Sequence, residues 1–188
     1  MNQLKQGSAE YLHLDLGDLS SIRLFVNEFS AKYNRLDILV NNAGVMRMSS
    51  KTYTKDGFES HIGINYLGHF LLTNLLLEKL KKAPSFRVIN VSSINHTVGK
   101  LDLDDLHFER RSIGPFEGYS QSKLANVLFT QALQRRFDAS NLNGKAVSLH
   151  PGIVRTDITR SYTGIMEILF KMVSPIFYLF SKSSFLGA

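Results

Sequence analysis

LDILVNNAG, the stretch from Leu36 to Gly44, decides the fold: a nearly unbroken aliphatic run, Leu36 to Val40, stops abruptly at Asn41-Asn42-Ala43-Gly44. A short apolar run that does not alternate with polar residues reads as a strand buried on both faces of a sheet. Upstream, Glu10 to Leu16 (EYLHLDL) is another short apolar-rich run, followed by Gly17-Asp18. Leu19 to Tyr33 then carries Leu19, Ile22, Val26 and Phe29 at helical spacing, which predicts a strand followed by a helix.

Downstream the alternation continues. A long helical pattern runs from about Gly57 to Lys82, with Leu71, Leu72, Leu75, Leu76, Leu77 and Leu80 in its later half. Phe86 to Val91 (FRVINV) reads as a β-branched strand closed by Ser92-Ser93, Gly118 to Phe137 as a helix, and Ala146 to Leu149 as a strand ending at His150-Pro151-Gly152. Strands of about five residues alternating with helices of about fifteen or more predict βαβ units, hence an α/β domain with a parallel sheet covered on both faces. Ligands bind beyond the carboxyl ends of the strands in such sheets, so the polar clusters at Asn41, Ser92-Ser93 and Pro151-Gly152 are expected to share one crevice.

Bulk properties narrow the chemistry. A chain of 188 residues with 44% hydrophobic side chains and four prolines suits one domain, 1–188, without internal repeats or low-complexity tracts. The absence of cysteine excludes a disulfide scaffold, a zinc-thiolate cluster and a cysteine nucleophile. The formal charge of +6 is spread over helix ends such as Lys79, Lys81, Lys82, Arg135 and Arg136, where cations complement the helix dipole. No basic stripe with interleaved aromatics appears, so no nucleic-acid partner is expected. The opening residues, Met1 to Gln6, are mostly polar and do not read as a secretory signal or anchor. The most apolar stretch, Ile165 to Phe180, is broken by Glu167, Lys171 and Pro175 and reads as an amphipathic helix or flap.

Tyr119 and Lys123 of YSQSK lie four apart near the start of a predicted helix, on one face of it. An ammonium beside a phenol stabilises phenolate, and such a pair can exchange a proton with an alcohol or carbonyl oxygen. Ser93, at a strand end facing the same crevice, can hydrogen-bond that oxygen in either oxidation state. Asn65, in the apolar setting GINYLGHF, is expected to be partly buried and to need a partner. His61 and His69, with Glu59 nearby, lack the spacing of a zinc site, and no metal is expected. Asp102, Asp104 and Asp105 read as a solvated turn rather than a calcium loop. His96, His107 and His150 read as structural or exposed.

With these residues in view the chain resembles the short-chain dehydrogenase/reductase family. LDLGDLSS resembles the family's third strand, VNNAG its fourth-strand motif, NYLGHF its structural-catalytic Asn, VINVSS the strand with its Ser, YSQSK its YxxxK motif and HPGIVRT its Pro-Gly segment. The resemblance implies a Rossmann-like doubly wound parallel sheet and hydride transfer between an alcohol or carbonyl and NAD(P)(H). It makes Tyr119 the general acid/base, with Lys123 lowering its pKa and bonding the nicotinamide ribose. Ser93 would orient the substrate oxygen, and Asn65 would hold a water linking Lys123 to solvent. Asp15 and Leu16 would flank the adenine, Asn41, Ala43 and Gly44 would line the cofactor, Pro151 and Gly152 would hold the nicotinamide, and Thr156 would bind its carboxamide.

The strings NNAGVM, NVSSINH, YSQSKLANVLFTQAL and HPGIVRTDI, with a long stretch between Ser93 and Tyr119, resemble the retinol dehydrogenase-like branch. This implies NADP(H) in preference to NAD(H), a lipid-like or retinoid-like substrate, and Ile165 to Phe180 as the substrate flap. It also implies a cytoplasmic place or one on the cytosolic face of an intracellular membrane, with peripheral membrane contact and a homodimer among the expected partnerships. No TGxxxGxG-type loop is present. The family's first two strands and last strand are therefore expected to be missing, leaving the sheet incomplete and the aliphatic run at Leu36 to Val40 with an open edge. A non-catalytic interaction or regulatory fragment is the alternative reading.

Overall fold

The computed structural model describes residues 7–46, 51–114 and 116–152. Helix α1 (Leu19–Lys32) begins where Asp18, in extended conformation, accepts from Ser20 N at 2.8 Å and Ser21 N at 3.3 Å. These are donors that a helix start leaves without intrahelical partners. Ile22 and Val26, from the predicted apolar stripe, are buried in one cluster with Leu16, Leu72 and Leu76.

The helical pattern expected from about Gly57 to Lys82 is one continuous run in three geometries. A short α2 (Ser60–Ile62) passes into a π-helical stretch, Gly63–Gly68, and then into α3 (His69–Leu80). Gly57 lies outside it, in a turn with φ of 82°. Gly68 lets the extended segment before α1 lie directly on this run, since a Cβ there would stand 2.5 Å from Leu16 O.

Strands β1 (Ile38–Asn41), β2 (Phe86–Val91) and β3 (Gly144–Leu149) form a parallel sheet in the order β1-β2-β3. Leu39, Val88 and Ala146 stand in register, as do Val40, Ile89 and Val147. Successive strand residues point to opposite faces. The first set faces α3 and α4 (Glu117–Ala139), and Phe86, Val88 and Ala146 are buried there with Leu77, Leu80, Phe129, Leu133 and Phe137. Gly144 is required at the start of β3, because a Cβ would meet the Phe86 ring at 2.2 Å.

The expectation of a sheet covered on both faces is not met among the described residues. On the face opposite α3 and α4, Ile38, Val40 and Val147 are 49%, 53% and 44% exposed. Glu10 to Leu16 also departs from expectation, since it forms no strand. A strand exists only by pairing, and the described residues place no backbone ladder beside this run. Its Asp15 instead caps the following turn, accepting from Gly17 N at 2.8 Å. Among the described residues β1 accordingly pairs with β2 alone. No helix among the described residues is long and apolar enough to cross a membrane.

Candidate active site

The π-helical stretch sets the first part of the site. Asn65 is fully buried within it, and its amide closes a loop beyond β1: Oδ1 accepts from Val45 N at 2.8 Å while Nδ2 donates to Val45 O at 3.0 Å. Nδ2 also donates to Ser122 Oγ on α4 at 3.0 Å, so one side chain ties a loop to a helix. Gly44 stands against this amide, where a Cβ would come within 3.1 Å of Asn65 Oδ1 and 3.6 Å of Lys123 Nζ. The backbone carbonyl of Asn65 accepts from His69 Nδ1 at 3.1 Å. Burial draws His69 down to about 4, so its ring is neutral near pH 7 and Nδ1 carries the proton.

Helix α4 brings Tyr119 and Lys123 to the carboxyl end of β2. Both are buried, and Lys123 Nζ lies 5.6 Å from the Tyr119 ring centroid. Lys123 Nζ donates to Val91 O at 2.9 Å, and Ser92 Oγ donates to Lys123 O at 2.8 Å. Ser93, the next residue, lies near enough to the Tyr119 side chain to affect its ionisation. Burial raises the Tyr119 phenol above its ordinary value, and Ser93 works against that rise. Burial also pulls Lys123 down to about 8. Desolvation thus dominates the ionisation of both groups.

Asn65, Tyr119, Lys123 and Gly44 lie together, with Ser93 beside Tyr119. The other expected residues lie around this group or apart from it. The Asn41 side chain lies in the covered face of the sheet, donating to Thr73 Oγ1 at 2.9 Å and Asn90 Oδ1 at 2.8 Å. Asn90 donates in turn to Thr130 Oγ1 at 2.8 Å, a buried amide chain that joins α3, both strands and α4. Among the described residues Asn41 Oδ1 is buried without a hydrogen-bond partner. Asp15 and Leu16 lie along the π-helical stretch, near Ile64 and Gly68. Ala43 is exposed beyond β1, while Pro151 and Gly152 lie half-buried beyond β3. Gly152 has φ of 84°, and no described residue comes within 4 Å of where a Cβ would be. Thr156 and the expected flap, Ile165 to Phe180, lie outside the described residues.

Three features were not anticipated. Ser122, inside YSQSK itself, is the buried partner of Asn65; its position three residues after Tyr119, whose carbonyl it bonds at 2.7 Å, was the available signal. Asp105 is not part of a solvated turn: it is buried, accepts from Glu109 N at 2.6 Å and pairs with Arg111 Nε at 3.4 Å. Arg111 donates onward to Gln121 Oε1 on α4 at 3.0 Å, so the long stretch before α4 is fastened to that helix. Glu59 and His61, considered only as metal ligands, form a buried pair at 2.6 Å behind Tyr119.

Comparison with known proteins shows which family the chain is similar to. Residues 1–104 match the family model described as short chain dehydrogenase. Human Retinol dehydrogenase 13 is 49% identical over 178 residues, covering 94% of this chain and 53% of that protein. Human Polyprenol dehydrogenase is 48% identical over 153 residues, covering 79% of this chain and 45% of that protein. The crystal structure of an uncharacterized protein from Mycobacterium paratuberculosis superposes with a TM-score of 0.68 at 45% identity, covering 84% of this chain and 56% of that one. The chain thus spans about half the length of the curated relatives it matches.

Proposed function

The chain belongs to the short-chain dehydrogenase family, and from that premise we propose that it interconverts an alcohol and a carbonyl using NAD(P)(H). The observation that carries the proposal is the joining of the Tyr119 phenol, the Ser93 hydroxyl and the Lys123 amine at the carboxyl end of β2. In this reading Tyr119 passes its proton to a carbonyl oxygen in reduction and takes it back in oxidation. Ser93 hydrogen-bonds the same oxygen in both directions. Lys123 favours the phenolate that forms and exchanges the proton onward, for which a pKa of about 8 is suited. Asn65 keeps the loop at Val45 and helix α4 in fixed relation, so the three groups stay aligned.

The residues around the crevice fit a dinucleotide. Gly44 offers backbone where a side chain would collide with Asn65, and no described residue comes within 4 Å of a Cβ on Gly152, at the end of β3. A bound nicotinamide dinucleotide supplies or takes up the hydride. Ala43, Gly44, Pro151 and Gly152 would hold it with Tyr119 and Lys123, and Asp15 and Leu16 would lie toward its adenine. NADP(H) is proposed ahead of NAD(H) on the resemblance to the retinol dehydrogenase-like branch. An apolar, lipid-like substrate fits Ile94 beside Ser93 and Phe116 before Tyr119, which are 58% and 44% exposed. Such a substrate suits a cytoplasmic place or the cytosolic face of an intracellular membrane.

The test is to supply the chain with NADPH and a series of aldehydes from short to long, including retinal. The reading predicts aldehyde-dependent consumption of NADPH that strengthens with apolar chain length. No consumption with any aldehyde, in a chain shown to bind NADPH, would overturn it.

A further inference from the structure

Behind the phenol lies a buried carboxylate that the proposed chemistry does not use. Glu59 and His61 are 1% and 3% exposed, and Glu59 Oε1 meets His61 Nδ1 at 2.6 Å. Glu59 also caps α2, accepting from His61 N at 3.0 Å and Ile62 N at 3.1 Å, while its own N donates to His107 Nδ1 at 3.3 Å. Burial by itself would raise this carboxyl, but His61 and the two backbone N–H groups outweigh burial and hold it below its ordinary value. A carboxylate so fully bonded has one orientation, and it fixes the imidazole that it grips.

That imidazole stands edge-on to Tyr119, with ring centroids 6.4 Å apart and planes inclined at 76°. The residue beside Tyr119 is shaped to the pair as well. A Cβ on Gly118 would fall 2.8 Å from His61 Nδ1 and 3.4 Å from Glu59 Oε1, so α4 begins as close to the pair as a backbone can come. We propose that Glu59 and His61 are positioning residues for Tyr119: the carboxylate orients the imidazole, and the imidazole forms the wall that holds the phenol at Ser93. The inference deepens the proposed role of Tyr119, whose phenol would be the proton-exchanging group. Ser93 from the end of β2, His61 from α2 and Lys123 from α4 are then the polar groups that confine it. Neither Glu59 nor His61 touches the reacting atoms in this account.

The test reads the ionisation midpoint of Tyr119 in the full chain by NMR of isotope-labelled tyrosine, with the signal assigned by its loss in Tyr119→Phe. Glu59→Gln and His61→Asn should each move the midpoint downward, toward that of an exposed tyrosine, by about half a pH unit or more as water reaches the loosened ring. Gly118→Ala, whose Cβ would press on the imidazole and on Ile113 Cδ1, both at 2.8 Å, without altering Glu59 or His61, should move it the same way and keeps the test open if Glu59→Gln does not fold. Leu133→Ala weakens the core about four turns further along α4 and should leave the midpoint in place. An unchanged midpoint in the folded variants, or an equal movement in Leu133→Ala, would overturn the proposal. The titration uses neither substrate nor dinucleotide, so a chain without turnover would contradict the functional reading and leave this result standing.

Discussion

Lys123 donates through Nζ to the carbonyl oxygen of Val91 at 2.9 Å, fastening the second turn of α4 to the last residue of β2. The bond fixes the amine beside Tyr119 but does not replace the water lost on burial, which is why Lys123 falls from 10.5 to about 8. Function at this position is held at a cost in stability.

That cost has a definite pH dependence. Between about pH 8 and 10.5 the folded chain binds fewer protons at Lys123 than the unfolded chain, so stability rises with pH across this window. Below about pH 8 the full penalty applies, and it is at most about 3 to 4 kcal/mol, because each tenfold loss of proton affinity corresponds to roughly 1.4 kcal/mol. Lys123→Met should therefore stabilise the fold at pH 7 by about 1 to 3 kcal/mol, with the gain shrinking toward pH 10. Thermal unfolding of both proteins at pH 7 and pH 10 checks this, and a gain that grew with pH would contradict it.

Asn65 is predicted to matter to the fold before it matters to turnover. The Asn65 side chain is fully buried and makes three bonds, to Val45 N and O at the half-buried edge of the loop and to the buried Ser122 Oγ. Asn65→Ala leaves those groups without their partner and should cost about 2 to 3 kcal/mol in urea unfolding. A loss below about half a kcal/mol would show that the amide does not hold the loop and helix together.

The sequence revealed most clearly those elements whose residues make local patterns. The stripe Leu19, Ile22, Val26 and Phe29 gave α1 (Leu19–Lys32), and FRVINV gave β2 with its limits. Asn65, Ser93, Tyr119 and Lys123 were legible because each sits at an element end or in a distinctive string. What escaped was pairing at a distance. EYLHLDL has strand composition, yet a strand depends on a neighbour that composition does not supply. The aliphatic Ile38 and Val40 read as buried on both faces, but the described residues place no layer over their side of the sheet. Asp105 reads as a surface turn because folding alone brings it to Arg111, and Arg111 in turn to Gln121 on α4.

The most direct test of the account compares the chain with its Tyr119→Phe variant in aldehyde-dependent NADPH consumption and in NADPH binding. Loss of the phenolic proton should lower turnover by about a hundredfold or more, with dinucleotide affinity changed by less than about twofold if the hydroxyl acts on the substrate oxygen rather than in binding. Turnover retained within about threefold in Tyr119→Phe would contradict the claim that this phenol exchanges the proton.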